Sequence, residues 1–126
     1  SYIAKSAALD DWEKNCYDRR SIAQIKLGER PLRLANLNNV VICNVDMTNA
    51  DLRGASFDYA IIDGVLANAR LNNTSMKHTR LQSGSKLTGA NLENANLTFA
   101  EFNGVDFTLA EAREATFFGT LLVDAI

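Results

Sequence analysis

The sequence predicts an all-β solenoid, a backbone of short straight pieces joined by regular bends, with apolar side chains sealed inside. Three observations predict it. From Ala35 onward an apolar residue recurs every five positions. Two positions before each of these centres stands a small residue, and two positions after it there is usually a residue suited to tight turns. Period five fits neither regular element alone. On an α-helix five residues advance about 500°, so successive centres drift by about 140° and form no stripe. On a flat strand five is odd, and successive centres would alternate faces. A bend in every unit keeps them all on one side.

Residues 1–33 do not repeat. Leu9, Trp12, Cys16, Ala23 and Leu27 fall near helical spacing, and Gly28 followed by Pro31 reads as a stop. This segment is therefore predicted as an α-helical cap, either one bent helix or two short ones with the second starting at Ser21. A solenoid end exposes unpaired strand groups and apolar centres, so it needs such a cover. The segment nets +2, seven basic against five acidic residues. Arg19-Arg20 alone is thin support for a basic recognition helix.

Residues 34–126 carry the repeat, with 18 apolar centres running from Leu37, Ile42, Met47 and Leu52 to Phe117 and Leu122. The residue two before the centre is Ala ten times, Val four times and Thr or Ser four times. The bend is expected two residues after the centre, where Gly54, Gly64, Gly89, Gly104 and Gly119 stand. One residue is missing in the unit Val65–Asn68, with Ala67 as its expected centre, and Gly84 is one residue extra. Ala67 and Ala112 are the short centres, where gaps are expected.

Ala50-Asp51-Leu52, Ala90-Asn91-Leu92 and Ala95-Asn96-Leu97 match the motif A(D/N)LXX, and on these units the chain resembles the pentapeptide-repeat family. The resemblance implies a right-handed quadrilateral parallel β-helix with four units per coil, hence about 4.5 coils at about 4.8 Å each. Every fourth unit is then a vertical neighbour. That stacking places five basic residues one coil from an acid: Arg70 with Asp51, Lys77 with Asp58, Arg80 with Glu101, Lys86 with Asp106 and Arg113 with Glu93. Cys43 is expected to face outward. Tyr59, His78 and Phe99, which break the small-residue rule at the bend, fall in one column. With Ile61 and Phe118 beside them they form an aromatic edge, the candidate protein-binding surface. The alternatives are rings that stack only on each other, or that the N-terminal segment covers.

Little else in the chain suggests chemistry. The single histidine, His78, has no nucleophile in its column, the two cysteines match no metal spacing, and no glycine-rich phosphate loop occurs. No enzyme activity, cofactor or metal is expected. A formal net charge of −2 argues against direct nucleic-acid binding, and no apolar run is long enough to span a membrane as a helix. The expectation is a non-enzymatic interaction or scaffold module with a protein partner. Cytoplasmic placement is favoured by the lack of a visible signal peptide. The chain begins at Ser1 rather than Met, and its C-terminal end has no evident cap. Both suit one domain of a larger bacterial protein such as a secreted effector, or end-to-end or edge homo-association. Some family members resemble B-DNA in charge and inhibit DNA gyrase, conferring quinolone resistance. That is the alternative function, although this chain is less acidic than that subgroup.

Overall fold

The bend is written into the backbone at the fifth residue of nearly every unit. Asn39 (φ 63°), Asn49 (φ 63°), Gly54 (φ 72°) and Asn94 (φ 60°) all take the left-handed conformation. Across each corner the next amide reaches back to the centre's carbonyl: Ala50 N–H to Met47 O at 3.0 Å, Ala55 to Leu52 at 3.0 Å, Ala95 to Leu92 at 2.9 Å. A bond from the first to the fourth residue with positive φ at the third is the arrangement a type II turn requires. The Asp or Asn before the centre braces the same corner. Its side-chain oxygen accepts the amide two residues on, as in Thr48 to Asp46 (2.9 Å), Glu93 to Asn91 (3.0 Å), Thr98 to Asn96 (3.0 Å) and Thr108 to Asp106 (2.8 Å). The A(D/N)L motif thus has a physical reading: a small residue goes inside, an acceptor holds the turn, and a large apolar group fills the core.

Leu109 (φ 61°) occupies a corner without the tolerance of Asn or Gly, and it is 83% exposed. Leu109→Gly should relieve left-handed strain while losing little packing. We expect a net stabilisation of roughly 0.5–1 kcal/mol, read as a higher denaturant midpoint.

In the computed structural model, residues 2–5, 25–28 and 30–126 are described. Their strands are β1 (Tyr2–Lys5), β2 (Ile25–Lys26), β3 (Val40–Asp46), β4 (Ile61–Val65) and β5 (Arg80–Leu81). β3, β4 and β5 pair in parallel, and isolated bridges continue the ladder on the other sides of the coil. Val41 pairs with Ile61, twenty residues on, so one turn of the solenoid takes four five-residue units. The step falls to nineteen at Asp51–Arg70, rises to twenty-one at Arg70–Asn91, and returns to twenty at Asn91–Glu111. The missing and the extra residue therefore cancel in the ladder.

The interior is packed by the centres. Met47, Leu52, Phe57, Ile62, Leu71, Met76, Leu87, Leu92, Leu97 and Phe102 have no exposed surface. Burying one such side chain contributes about 1.5–3 kcal/mol. Between them lie Ala50, Ala55, Ala60, Ala90, Ala95 and Ala100, also buried. Where Thr replaces Ala its hydroxyl is satisfied: Thr74 donates to Leu71 O and Thr79 to Phe57 O, both at 2.8 Å. In the last coil Ala112, Phe117 and Leu122 are exposed, since no further coil is stacked on them here.

Four expectations are corrected. First, the centre between Ile62 and Leu71 is Leu66, fully buried, while Ala67 faces outward. Leucine buries far more apolar surface than alanine, and the ladder shifts by one residue to place it. Second, Gly64 is not a bend residue. It takes the small inner position, where a Cβ would stand 2.1 Å from the Val45 carbonyl oxygen. The short unit is then Ala60–Asp63, which lacks its corner. Third, Cys43 is fully buried and is not a free thiol. The outward positions Val41, Ile61 and Asp63 around it are buried as well.

The fourth correction concerns the segment expected to be helical. Within it, Tyr2–Lys5 and Ile25–Lys26 are strands. β1 runs antiparallel to β3 and β2 runs parallel to it, so both lie on the N-terminal edge of β3 and supply the cover an open edge needs. The helical positions Leu9, Trp12, Cys16 and Ala23, and Arg19-Arg20, lie outside the described residues. Leu27 and Leu32 continue the five-residue rhythm before Leu37. Leu27 N–H donates to Asp46 O and Leu34 N–H to Arg53 O, and the side chains of Leu27 and Leu32 pack against the core.

Candidate functional site

The corner after Phe57, Met76 and Leu97 carries Tyr59, His78 and Phe99 in place of Asn or Gly, each at positive φ. A corner side chain projects from the coil, and coils stack at about the thickness of two aromatic rings in contact. The rings therefore stack along the axis. Tyr59 lies on His78 with centroids 4.6 Å apart and planes 6° from parallel, and His78 on Phe99 at 5.3 Å and 26°. The next corner is Gly119, where a Cβ would stand 2.4 Å from the Phe99 ring. Phe118 closes the row edge-on to Phe99, at 5.4 Å and 74°. Each ring pair is worth about 0.5–1.5 kcal/mol, which offsets the left-handed strain of placing aromatics at these corners.

Tyr59 (60% exposed), Phe99 (47%) and Phe118 (69%) remain open to solvent despite the stacking. The structure thus gathers four of the five sequence candidates, Tyr59, His78, Phe99 and Phe118, into one ladder. Ile61, the fifth, is 7% exposed in β4 and presents no surface. Mutual stacking of the rings is present, and it leaves more than half of Tyr59 and Phe118 free.

The charged columns differ from expectation. Arg80 pairs with Glu101 at 3.3 Å, as its position implied. Asp51 does not take Arg70 from the neighbouring coil. It accepts hydrogen bonds from Nε and Nη2 of Arg53, two residues on, at 2.8 and 2.7 Å. Asp58 accepts Ser75 Oγ and the backbone amide of Lys77, rather than the Lys77 ammonium. Asp106 binds the Thr108 hydroxyl and amide, and Lys86 adds only a weaker attraction. Arg113 and Glu93 do not meet at ion-pair distance. For Asp51 and Asp106 the physical reason is that an acceptor aimed at its own corner is engaged locally, at lower entropic cost than ordering a long side chain across a coil, while Asp58 is taken by the short hydroxyl and the backbone amide of the next coil.

The Arg53 guanidinium holds the Asp51 pKa down at about 2, against a smaller opposing effect of desolvation, with further help from the Arg53 amide and the charge of Arg33. A depressed folded-state value means that Asp51 favours the native state above its ordinary value near 3.9, and that this contribution is lost as pH falls towards 2. Carboxylate titration by NMR should place the Asp51 midpoint near 2, and Arg53→Ala should return it towards the ordinary value. Hydrogen bonds from Thr48 and Thr108 likewise lower Asp46 and Asp106.

A group that sequence reasoning missed lies on the face containing Asp51. Arg33, Arg53 and Asn72 stand in one column on successive coils, with Arg70 in the adjacent column beside Asp51. Arg33, Leu34, Arg53, Gly54, Asn72 and Asn73 line a groove of about 430 Å³. The available signal was the twenty-residue spacing of Arg33 and Arg53. It was hidden because Arg33 fell before the first recognised unit. Among the described residues no cluster has the makings of a metal centre, and no helix is long and apolar enough to cross a membrane.

A coil with a packed interior and side-chain variety confined to its corners and outer faces defines a repeat solenoid. The chain belongs to the pentapeptide-repeat family: the family model for pentapeptide repeats matches it in eight copies, over residues 35–65 and 83–111. It is similar to HetL, a pentapeptide repeat protein involved in heterocyst differentiation regulation from the cyanobacterium Nostoc sp. strain PCC 7120. The identity is 31%, the TM-score 0.66, and the match covers 69% of this chain and 40% of HetL. The chain therefore spans well under half the length of that relative. Rfr23 from the cyanobacterium Cyanothece 51142 aligns at 16% identity and TM-score 0.44, over 90% of this chain and 98% of that one. The fluoroquinolone resistance protein QnrB1 aligns at 19% identity and TM-score 0.39, over 81% and 71%. Among curated proteins none matches the chain significantly. Family membership implies a right-handed β-helix, with which the parallel ladder agrees.

Proposed function

We propose that this chain is a non-enzymatic protein-interaction module that meets its partner with the aromatic ladder. The observation that carries this reading is the ladder itself, four rings held in contact with one another and open to solvent along one edge of the coil. Stacking fixes the rings before any partner arrives, so little side-chain entropy is lost on binding, and rigid aromatic groups are the usual anchors of interfaces. A rigid coil with a filled core suits presentation of a surface rather than enclosure of a substrate. The likeness to HetL supports placing the contact in a bacterial regulatory process. Duplex mimicry and gyrase inhibition are supported less well, because Arg33 and Arg70 interrupt the acidic surface that a DNA mimic needs.

The test is affinity capture with the chain and with Tyr59→Ser/Phe99→Ser. Both side chains are outside the core, so the variant should keep its fold by circular dichroism. Specific partner recovery should fall by about tenfold or more, the loss expected when interface anchors are truncated. Equal recovery by the two proteins would sink the aromatic-edge reading.

A further inference from the structure

We infer that the arginine face at Arg33, Arg53 and Arg70 is a second binding surface, built to take an acidic peptide segment of a protein partner. Its starting point is a pairing that fails to form. Arg53 chelates Asp51 through two hydrogen bonds. That engages the one acid beside Arg70 in the ladder, and Arg70 makes no ion pair among the described residues. Arg33, one coil before Arg53 in the same column, is exposed, adds only a weaker charge attraction to Asp51, and has no hydrogen-bonding partner among the described residues. Like charges on adjacent rungs repel and weaken the stack. A column serving stability alone would alternate sign, as Arg80 over Glu101 does.

The groove lined by Arg33 and Arg53, with Arg70 in the adjacent column, says what would fit. Asp51 cancels one of three positive charges, leaving a local excess of two. Arg53 is already oriented by its carboxylate, while Arg33 and Arg70 keep all their donors for a ligand carboxylate. Asn72 and Asn73 line the same groove and offer amides to a peptide backbone, and Leu34, 75% exposed, offers an apolar contact at its rim. The patch is short. Along the same face towards the C-terminus stand Glu93, Glu111 and Glu114 against the single base Arg113, and the whole chain carries a net charge of −2. A long polyanion such as DNA would run onto those acids and be repelled, whereas a segment of a few residues would not.

This inference rests on the interaction-module reading but on a different face from the aromatic ladder. The probe is a labelled peptide Glu-Glu-Leu-Glu-Glu, followed by fluorescence anisotropy against the intact chain, with Gln-Gln-Leu-Gln-Gln and a short DNA duplex as comparisons. Saturable binding of the acidic peptide is expected, with the glutamine peptide and the duplex clearly weaker. Raised salt should weaken it. The exposed pair Arg33→Glu/Arg70→Glu should reduce affinity about tenfold or more with an unchanged circular dichroism spectrum, and Lys77→Glu on another face should leave it intact. Tyr59→Ser/Phe99→Ser should bind the peptide normally, so that failure of the aromatic-edge reading and failure of this one are separable. No binding, equal binding to the double charge reversal, equal binding of the glutamine peptide, or preference for the duplex would each overturn the inference.

Discussion

Phe102→Ala is expected to cost about 3–5 kcal/mol of stability, the range for removing a fully buried aromatic side chain. Phe102 has no exposed surface, and its ring lies 5.9 Å from that of Phe107 in the next unit. No alternative group can collapse into the vacated space without breaking the ladder, because each coil is pinned to its neighbours by backbone hydrogen bonds such as Phe102 N–H to Leu121 O at 2.9 Å. Coils contact only their neighbours, so the damage should be local. Hydrogen exchange should show protection falling in the coils that hold Leu81, Phe102 and Leu122, while amides around Val41, Leu52 and Ile62 stay protected. Denaturant unfolding gives the total loss. A uniform drop in protection along the chain would mean that the solenoid unfolds as a single unit.

Gly64→Ala should be the next most damaging, by a different route. The new methyl group would stand 2.1 Å from Val45 O, 2.7 Å from Val45 Cγ1 and 2.9 Å from Val45 N. Two of those atoms are backbone in the adjacent strand, so the strain cannot be relieved by rotating a side chain. β3 and β4 must separate where the register already shifts, between Ile42 and Val45. Overpacking of this kind costs about 1–3 kcal/mol and occasionally more, and the rigid neighbour puts Gly64 at the upper end. Gly84→Ala is the control. Gly84 has φ +89° but nothing within 4 Å of a Cβ, so its substitution should cost only the conformational penalty, about 1–2 kcal/mol. Comparing denaturant midpoints of the two variants separates crowding from backbone strain. Equal losses would mean that close approach is not what requires glycine at 64.

Much of the fold was legible because it is written locally. Centre, small residue, acceptor and corner all lie within five residues, and each has its own chemistry. The stacked column of Tyr59, His78 and Phe99 was legible too, since counting four units per coil places all three at the same corner although the steps are nineteen and twenty-one residues. The departures came where the step is not constant or where neighbours compete. Leu66 and Ala67 are both acceptable centres by spacing, and only the bonds Leu66 N–H to Lys86 O and Met47 N–H to Val65 O fix which one turns inward. The burial of Cys43 and Ile61 depends on what lies over an outer face, which no periodicity reports.

By itself the sequence determined the period, the sealed apolar interior and the place of every corner outside the short unit at Ala60–Asp63, because these follow from side-chain size and turn preference within one unit. The tertiary structure alone decided the register around Gly64, the two early units at Leu27 and Leu32, and the choice of Arg53 over Arg70 as the partner of Asp51. Those outcomes depend on groups about twenty residues apart competing for one position. Such competition is settled by the geometry of stacked coils and is invisible to spacing along the chain.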